Sequence, residues 1–453
     1  MTGVLDRGAA EAAAAFAVER ALKRGAAAAD AMYIFGVEHS LSLIDGEPEE
    51  TVSGFSEAIG VRTLDSAGRQ GAARVGSLGR DRLEEAVEWS LANCRACEED
   101  PYVALAPRWS PSDDDLGLSD PCIAGLDAGA RLAFCREMWE EAKGADPRVI
   151  SVRSASWGDG VQDVLYVSSA GSMMWYSGAT AGCGVSVVMS SGDDMEMGGY
   201  GDESRLLSAL SPRDTAREAV RRTAATLGGT LAPTGRYDLM LDPETSASFI
   251  DAVGELFLAS NIHKNRSLLK GRLGDSAASA AVTLVDDGTL RGGLGTAPFD
   301  GEGHPCSRTC IMKDGVVRSW LYNLKYARMD GVGSTGNASR SLSGTPDVGC
   351  SNLCLSPGEL SPGEMIRRME DGILVTELLG LHTINLVSGD FSLGVKGVRI
   401  RGGEVGAPVG GMTIAGNLMD LLRSVDLVGS DFKFSGSVGA CSMVIRDVAA
   451  AGS

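Results

Sequence analysis

The chain has 453 residues, 44% of them hydrophobic and 22% charged, the balance of a globular protein long enough for two or three domains. Its 41 basic against 60 acidic residues leave a net charge of −19. So negative a field repels phosphate backbones, which argues against nucleic acid as a partner.

The N-terminal stretch MTGVLDRGAAEAAAAFAVERALKRG lacks a basic leader region, and Glu11 interrupts its apolar run. It reads as an amphipathic helix rather than a targeting segment. No uncharged apolar run is long enough to span a bilayer, so no membrane association is expected. Ten cysteines in so long a chain do not form a disulfide scaffold, and the reading is a cytoplasmic protein.

The chain then resembles itself. SEAIGVRTLDSAGRQGAARVG from Ser56 is matched by TAGCGVSVVMSSGDDMEMGGYG from Thr180, each an alternating strand, a turn and a glycine-rich strand leading to a helix. The first helix (82–97) is expected to open at Asp81 with Glu84 completing a capping box. The second (212–227) opens at Ser211, with Pro212 in its first turn. The expectation is an α+β fold: an N-terminal α+β domain, residues 1–235, with a duplicated strand–strand–helix unit. Between the copies, SPSDDDLGLSDP (110–121) reads as a surface connection.

From residue 236 the texture changes. RYDLMLD is a strand, Asp242-Pro243 caps a helix expected to run to about Ala259, and IMKDGVVRSW and VRIRGGEVGAPV read as hairpins. A late helix is expected near 417–424. Residues 236–453 thus read as a mostly antiparallel β domain. On its opening helix, in FIDAVGELF, Phe249, Val253, Leu256 and Phe257 share one side while Asp251 and Glu255 fall nearly opposite. Periodicity alone gives a core helix with a wet face.

Longer stretches carry a resemblance: TAPFDGEG (296–303), IMKDGVVRSWLYNLKYAR (311–328), GSTGNAS (333–339), GILVTELLG (372–380), TIAGNLMD (413–420) and VGSDF (428–432). In order and spacing they resemble the TldD/PmbA family, and most closely its PmbA (TldE) branch, which lacks the zinc motif. TldD-like peptidases carry HExxxH in a helix at this place. The resemblance lays the first histidine on Ile250, the general-base glutamate on Asp251, the second histidine on Glu255 and the site cysteine on Cys441. Isoleucine has no lone pair, and Asp251 is a methylene shorter than glutamate. Glu255 with Cys441 supplies two ligands where a catalytic zinc takes three plus water. No metal and no cofactor are therefore expected in this chain.

The remaining metal candidates are weaker. Cys306 with Cys310 and Cys350 with Cys354 are C-x-x-x-C pairs. On an extended strand their members stand about 13 Å apart, too far to share a zinc that needs sulfur at about 2.3 Å. Cys94 and Cys97 lie late on a helix. Residue pattern alone places Cys441 on a strand face with Met443 and Ile445, buried. His39, His263, His304 and His382 are scattered, His263 following the end of the opening helix. GGLG (292–295) and GSTG (333–336) read as turns.

The resemblance implies a subunit without zinc in a TldD/TldE-type metallopeptidase complex that cleaves unfolded or leader peptides. The zinc is expected in a TldD-like partner (a heterodimer), with this chain closing the chamber and holding extended peptide. Two alternatives stand beside it. One is a stand-alone metallopeptidase using Asp251, Glu255 and Cys441 in an atypical site. The other is a non-enzymatic, peptide-binding homodimer. The family's older name, modulator of DNA gyrase, gains no support from the net charge.

Overall fold

The computed structural model describes residues 5–111 and 114–452. Ser112 and Asp113 of the expected connection, and the first four residues of the N-terminal stretch, lie outside them.

Alanines and Val18 at helical spacing bury one face of α1 (Arg7–Lys23). It is followed by β1 (Ala28–Ile44), β2 (Glu47–Leu64), β3 (Gln70–Val75) and α2 (Arg80–Ala96). After a single helical turn, α3 (Pro121–Ala124), the plan recurs as α4 (Ala128–Ala145), β4 (Val149–Ser168), β5 (Met173–Ser191), β6 (Asp194–Ser204) and α5 (Pro212–Thr226). The six strands form one antiparallel sheet in the order β3-β2-β1-β4-β5-β6. The duplicated unit is therefore larger than the sequence showed: helix, three strands, helix, with the copies joined through β1 and β4. Ser211 caps α5 as expected, its side chain accepting from Asp214 N. The capping box at α2 does not form. The helix starts two residues earlier, behind Gly79, and Glu84 is drawn away to Arg20 (2.9 Å) on α1 and to Arg24 (3.4 Å) at its end.

The C-terminal region holds two further six-stranded sheets. One runs Glu404–Asn417, Asp390–Arg401, Asp371–Leu379, β7 (Gly235–Leu241), Met443–Ala451, Val425–Val428. Its first and fifth strands also pair, at Thr413–Ala451 and Ile414–Ala450, which curls the sheet toward closure. The other runs Val316–Val317, Arg308–Lys313, Leu284–Asp287, Leu353–Leu355, Val438–Ala440, Lys433–Ser435. The two expected hairpins are present, turning at Asp314-Gly315 and Gly402-Gly403, where positive φ favours these residue types. Leu418–Arg423 is the late helix, capped by Asn417. The region is mostly antiparallel, as expected, with additions the pattern did not show. Its strands include two parallel pairs, and two further short helices, Leu324–Asp330 and Pro362–Arg367, interrupt them.

Helix α6 (Pro243–Gly254) follows β7, with the Asp242 side chain accepting from Thr245 N, and packs among strands of both C-terminal sheets. It stops five residues short of the expected end. A Cβ at Gly254 would stand 2.7 Å from Leu353 Cδ2, so the backbone lies against its neighbour. A tight turn, Glu255–Phe257, follows, its Glu255 carbonyl taken by Asn261 Nδ2 at 2.8 Å. Among the described residues no helix is long and apolar enough to cross a membrane.

Candidate functional site

The four positions singled out on sequence divide between the core and the surface. Ile250 is fully buried in the large C-terminal core with Phe249 and Val253. Asp251 and Glu255 are exposed on the other side of α6 and line an open pocket of about 470 Å³ with Leu381, His382, Ile384 and Leu386. Cys441 is fully buried in the same core as Ile250. It precedes the strand Met443–Ala451 instead of lying on it. Met443, Val444 and Ile445 are all buried because that sheet is covered on both faces, so no one-faced alternation exists here.

These donors do not fit a zinc ion. Ile250 offers no lone pair, and the carboxylates on the wet face point away from the core that encloses Cys441. Burial, with Asp431 adding to it, pushes the Cys441 thiol up to about 12. Among the described residues no three His, Cys, Asp or Glu side chains form a metal-holding group.

The other candidates have local explanations. All ten cysteines are free. Cys306 lies ahead of Arg308–Lys313 while Cys310 is within it, and Cys354 is in Leu353–Leu355. Cys94, buried on α2, donates to Arg69 O. His263 does not end α6; it ends the next helix, Ala259–His263, with Nε2 2.9 Å from Asp330 and its ring beside Tyr326.

The prominent cavity lies elsewhere. A cleft of about 940 Å³ separates the N-terminal sheet from the C-terminal region. Its floor is the sheet face opposite the helices, where the cross-strand rows are rich in glycine: Ser40–Gly158–Gly182, Glu38–Gly160–Thr180 and Gly36–Gln162–Gly178. The intervening residues Ala155, Trp157, Ala179, Ala181 and Val185 point the other way, into the core beneath the helices. Glycine weakens a strand interior and usually marks a place where another backbone approaches closely. The far wall is the tip of the hairpin at 433–436 and the segment 294–297. Of the basic side chains lining the cleft, Arg205 is spent on the carbonyls of Gly293 (2.9 Å), Leu294 (2.8 Å) and Leu118 (3.1 Å), and Lys433 sits over the Tyr200 ring.

Gln162, Tyr176, Gly295 and Ala297 also line a smaller cavity of about 290 Å³, which continues the cleft toward Asp300, Arg340, Cys306 and Cys350. Behind it a charged cluster ties the two regions together. Asp30, fully buried, accepts from Arg62 Nε at 2.9 Å and from Arg340 Nη1 at 2.7 Å. Arg62 also faces Glu302 at 3.6 Å. Burial alone would raise Asp30; Arg340 and Arg62 outweigh it and hold the carboxyl below its usual range. Glu302 and Asp300 go the other way, raised chiefly by burial. Asp300 also braces its loop, accepting from the amides of Glu302, His304 and Ala338. Sequence reading missed this cluster because Asp30 and Arg340 are 310 residues apart. It also missed the cleft floor, although the run of Ser, Thr and Gly on alternate positions of 156–160 and 178–184 was its visible signal.

Three family models cover this architecture: PmbA/TldA metallopeptidase domain 1 at residues 29–94, the central domain at 123–227 and the C-terminal domain at 234–452. The chain belongs to the PmbA/TldD metallopeptidase family. It is 26% identical over 416 residues to the metalloprotease PmbA of Escherichia coli O157:H7, covering 91% of this chain and 90% of that protein. The crystal structure of a Thermotoga maritima protein described as a modulator of a DNA gyrase superposes with a TM-score of 0.88 at 26% identity, covering 97% of this chain and all of that one. TldE of Thermococcus kodakarensis shares the fold, with a TM-score of 0.87 at 19% identity over 97% of this chain and all of that one.

Proposed function

We propose that this PmbA/TldD-family chain is the subunit without zinc of a two-chain metallopeptidase. It closes the chamber and holds extended peptide, while a zinc-bearing relative supplies the hydrolytic centre. One observation carries the reading. The side chain at the place of the family's first imidazole is Ile250, sealed in the apolar core with Cys441, while Asp251 and Glu255 face solvent. A missing ligand forfeits on the order of a third of the ~10–16 kcal/mol that holds a structural zinc. The cleft supports the peptide-holding role, because at Gly158 its floor has no neighbour nearer than 3.9 Å to where a side chain would stand. Ten free thiols fit a reducing compartment and support a cytoplasmic location.

The test is to purify the chain alone and after co-expression with a zinc-bearing relative, then assay zinc content and cleavage of unfolded peptides. Alone, it is expected to carry no stoichiometric zinc and to cleave nothing; chelator-sensitive cleavage is expected only with the partner. Chelator-sensitive cleavage by the isolated chain, abolished by Glu255→Gln or Cys441→Ser, overturns the proposal.

A further inference from the structure

The two copies of the repeat differ in their outer strand, and the difference leaves a binding edge. In the second copy the outer strand pairs with its neighbour over eleven residues, β6 on β5 from Asp194 to Ser204. In the first, β3 pairs with β2 over only six, Ile59 to Leu64, before the chain leaves for α2. The rest of β2, residues 47–58, is paired to β1 on one side and, among the described residues, to no strand on the other. Residues 47–56 are exposed without interruption, and Gly54 has open space where a side chain would stand. Val52 and Phe55 lie about half exposed, with Phe55 stacked on Phe35. The edge is also held ready. At the β1–β2 turn, a Cβ on Gly46 would meet the Trp139 ring of α4 at 2.9 Å, so the turn is seated on the helix layer.

Its charge selects what binds there. From Asp45 to Ala58 the sequence has five acids and no Lys or Arg. Glu57 is taken by the Tyr33 hydroxyl (2.8 Å) and Asp45 by the Ser151 hydroxyl (3.0 Å). Glu47, Glu49 and Glu50 enter no ion pair among the described residues. A second copy of this chain would bring the same acids to the contact. Val52 also lines the cleft.

We propose that the free edge of β2 takes up an extended peptide bearing lysine or arginine as an added strand. The peptide's backbone pairs with the unpaired donors and acceptors, its cations stand across from Glu47, Glu49 and Glu50, and its apolar residues lie against Phe55, which faces opposite to Val52. The inference rests on the reading that this chain holds peptide substrates, and it names their class.

The probe is a short fluorescein-labelled peptide alternating lysine with valine and threonine, titrated into the isolated full chain and followed by anisotropy. The control peptide has the same charge with prolines in place of the valines, so it cannot form a strand. The expected result is saturable binding of the first peptide and binding at least about tenfold weaker of the second. Amides of residues 47–57 gain protection from hydrogen exchange in the complex. The triple variant Glu47→Lys/Glu49→Lys/Glu50→Lys, altered only on exposed side chains, is expected to lose about tenfold in affinity from three cross-strand pairs. Equal binding of the proline peptide, unchanged protection on β2 or unchanged affinity in the triple variant each overturns the proposal. Because no partner is present, loss of this edge with intact co-expressed cleavage leaves the subunit reading standing. The converse result overturns the subunit reading alone.

Discussion

The two copies of the repeat bury an arginine–aspartate pair each, and they use it differently. In the second copy Arg131 of α4 and Asp159 of β4 form a local bidentate contact, Nε to Oδ2 at 2.6 Å and Nη2 to Oδ1 at 2.8 Å, with Trp157 Nε1 adding a third donor at 2.9 Å. In the first copy Arg62 and Asp30 are joined by Arg340 and Glu302 from the C-terminal region. One pair staples a helix to its own strand; the other holds two regions together beneath the cleft. A duplicated unit has thus kept one half for its own stability and turned the other toward assembly of the site.

The comparison is broken most severely by Arg62→Ala. It leaves Asp30 and Glu302 buried with Arg340 as the remaining cation, and chemical unfolding is expected to show a loss of about 3–5 kcal/mol. Arg131→Ala is expected to cost less, about 2–3 kcal/mol, because Asp159 keeps the Trp157 indole as a donor. If the two losses were equal, the added ties in the first copy would contribute nothing.

The cross-region cluster also has a pH signature. Burial raises Glu302 above the ordinary carboxyl value of 4.5, with Arg62 opposing and Asp300 adding to the rise. Above that value the unfolded chain has released a proton that the folded chain still holds. Stability is therefore fully present at low pH and is lost as pH rises through the elevated value. The slope is at most about 1.4 kcal/mol per pH unit for one proton. Glu302→Gln, which mimics the protonated form, is expected to match the parent near pH 4.5 and to be more stable than it near pH 8. Parallel curves for the two proteins would place the proton elsewhere.

What the sequence revealed follows the range of the interactions involved. The hairpin at 311–320 was legible because Asp314 and Gly315 are the residues a positive-φ turn selects, and α5 because Ser211 and Pro212 mark its start. The repeat was half legible. Its glycine-punctuated second and third strands resemble each other, but α1 and β1 bury alanines where α4 and β4 bury Met138 and Trp157, which hides the likeness. Helix α2 was legible to within two residues, but its capping box was misread because Glu84 answers to arginines at the end of another helix. At α6 the periodicity correctly put Asp251 and Glu255 on the wet face. The end of that helix is set by contact of Gly254 with Leu353, 99 positions away, and nothing nearby in sequence announces it. The cluster at Asp30 is the extreme case, since each member alone is an unremarkable charged residue.

The smallest expected effect on folding, and the sharpest on function, comes from the cleft floor, where the halves meet. A Cβ at Gly158 would have no neighbour closer than 3.9 Å, the carbonyl of His39, so the backbone has room for a side chain. Strand glycines cost roughly 0.5–1 kcal/mol relative to alanine, and β-branched residues suit strands better still. Gly158→Val is therefore expected to leave stability unchanged or raise it by up to about 1 kcal/mol in thermal unfolding. If the bare floor exists to admit another backbone, the same substitution obstructs the row Ser40–Gly158–Gly182 and weakens capture of extended peptide without weakening the fold. A site kept at a stability cost is separated from a merely tolerated one by that opposition of signs. A valine that stabilises the chain and leaves peptide binding untouched would show that the glycines serve only the packing of the sheet.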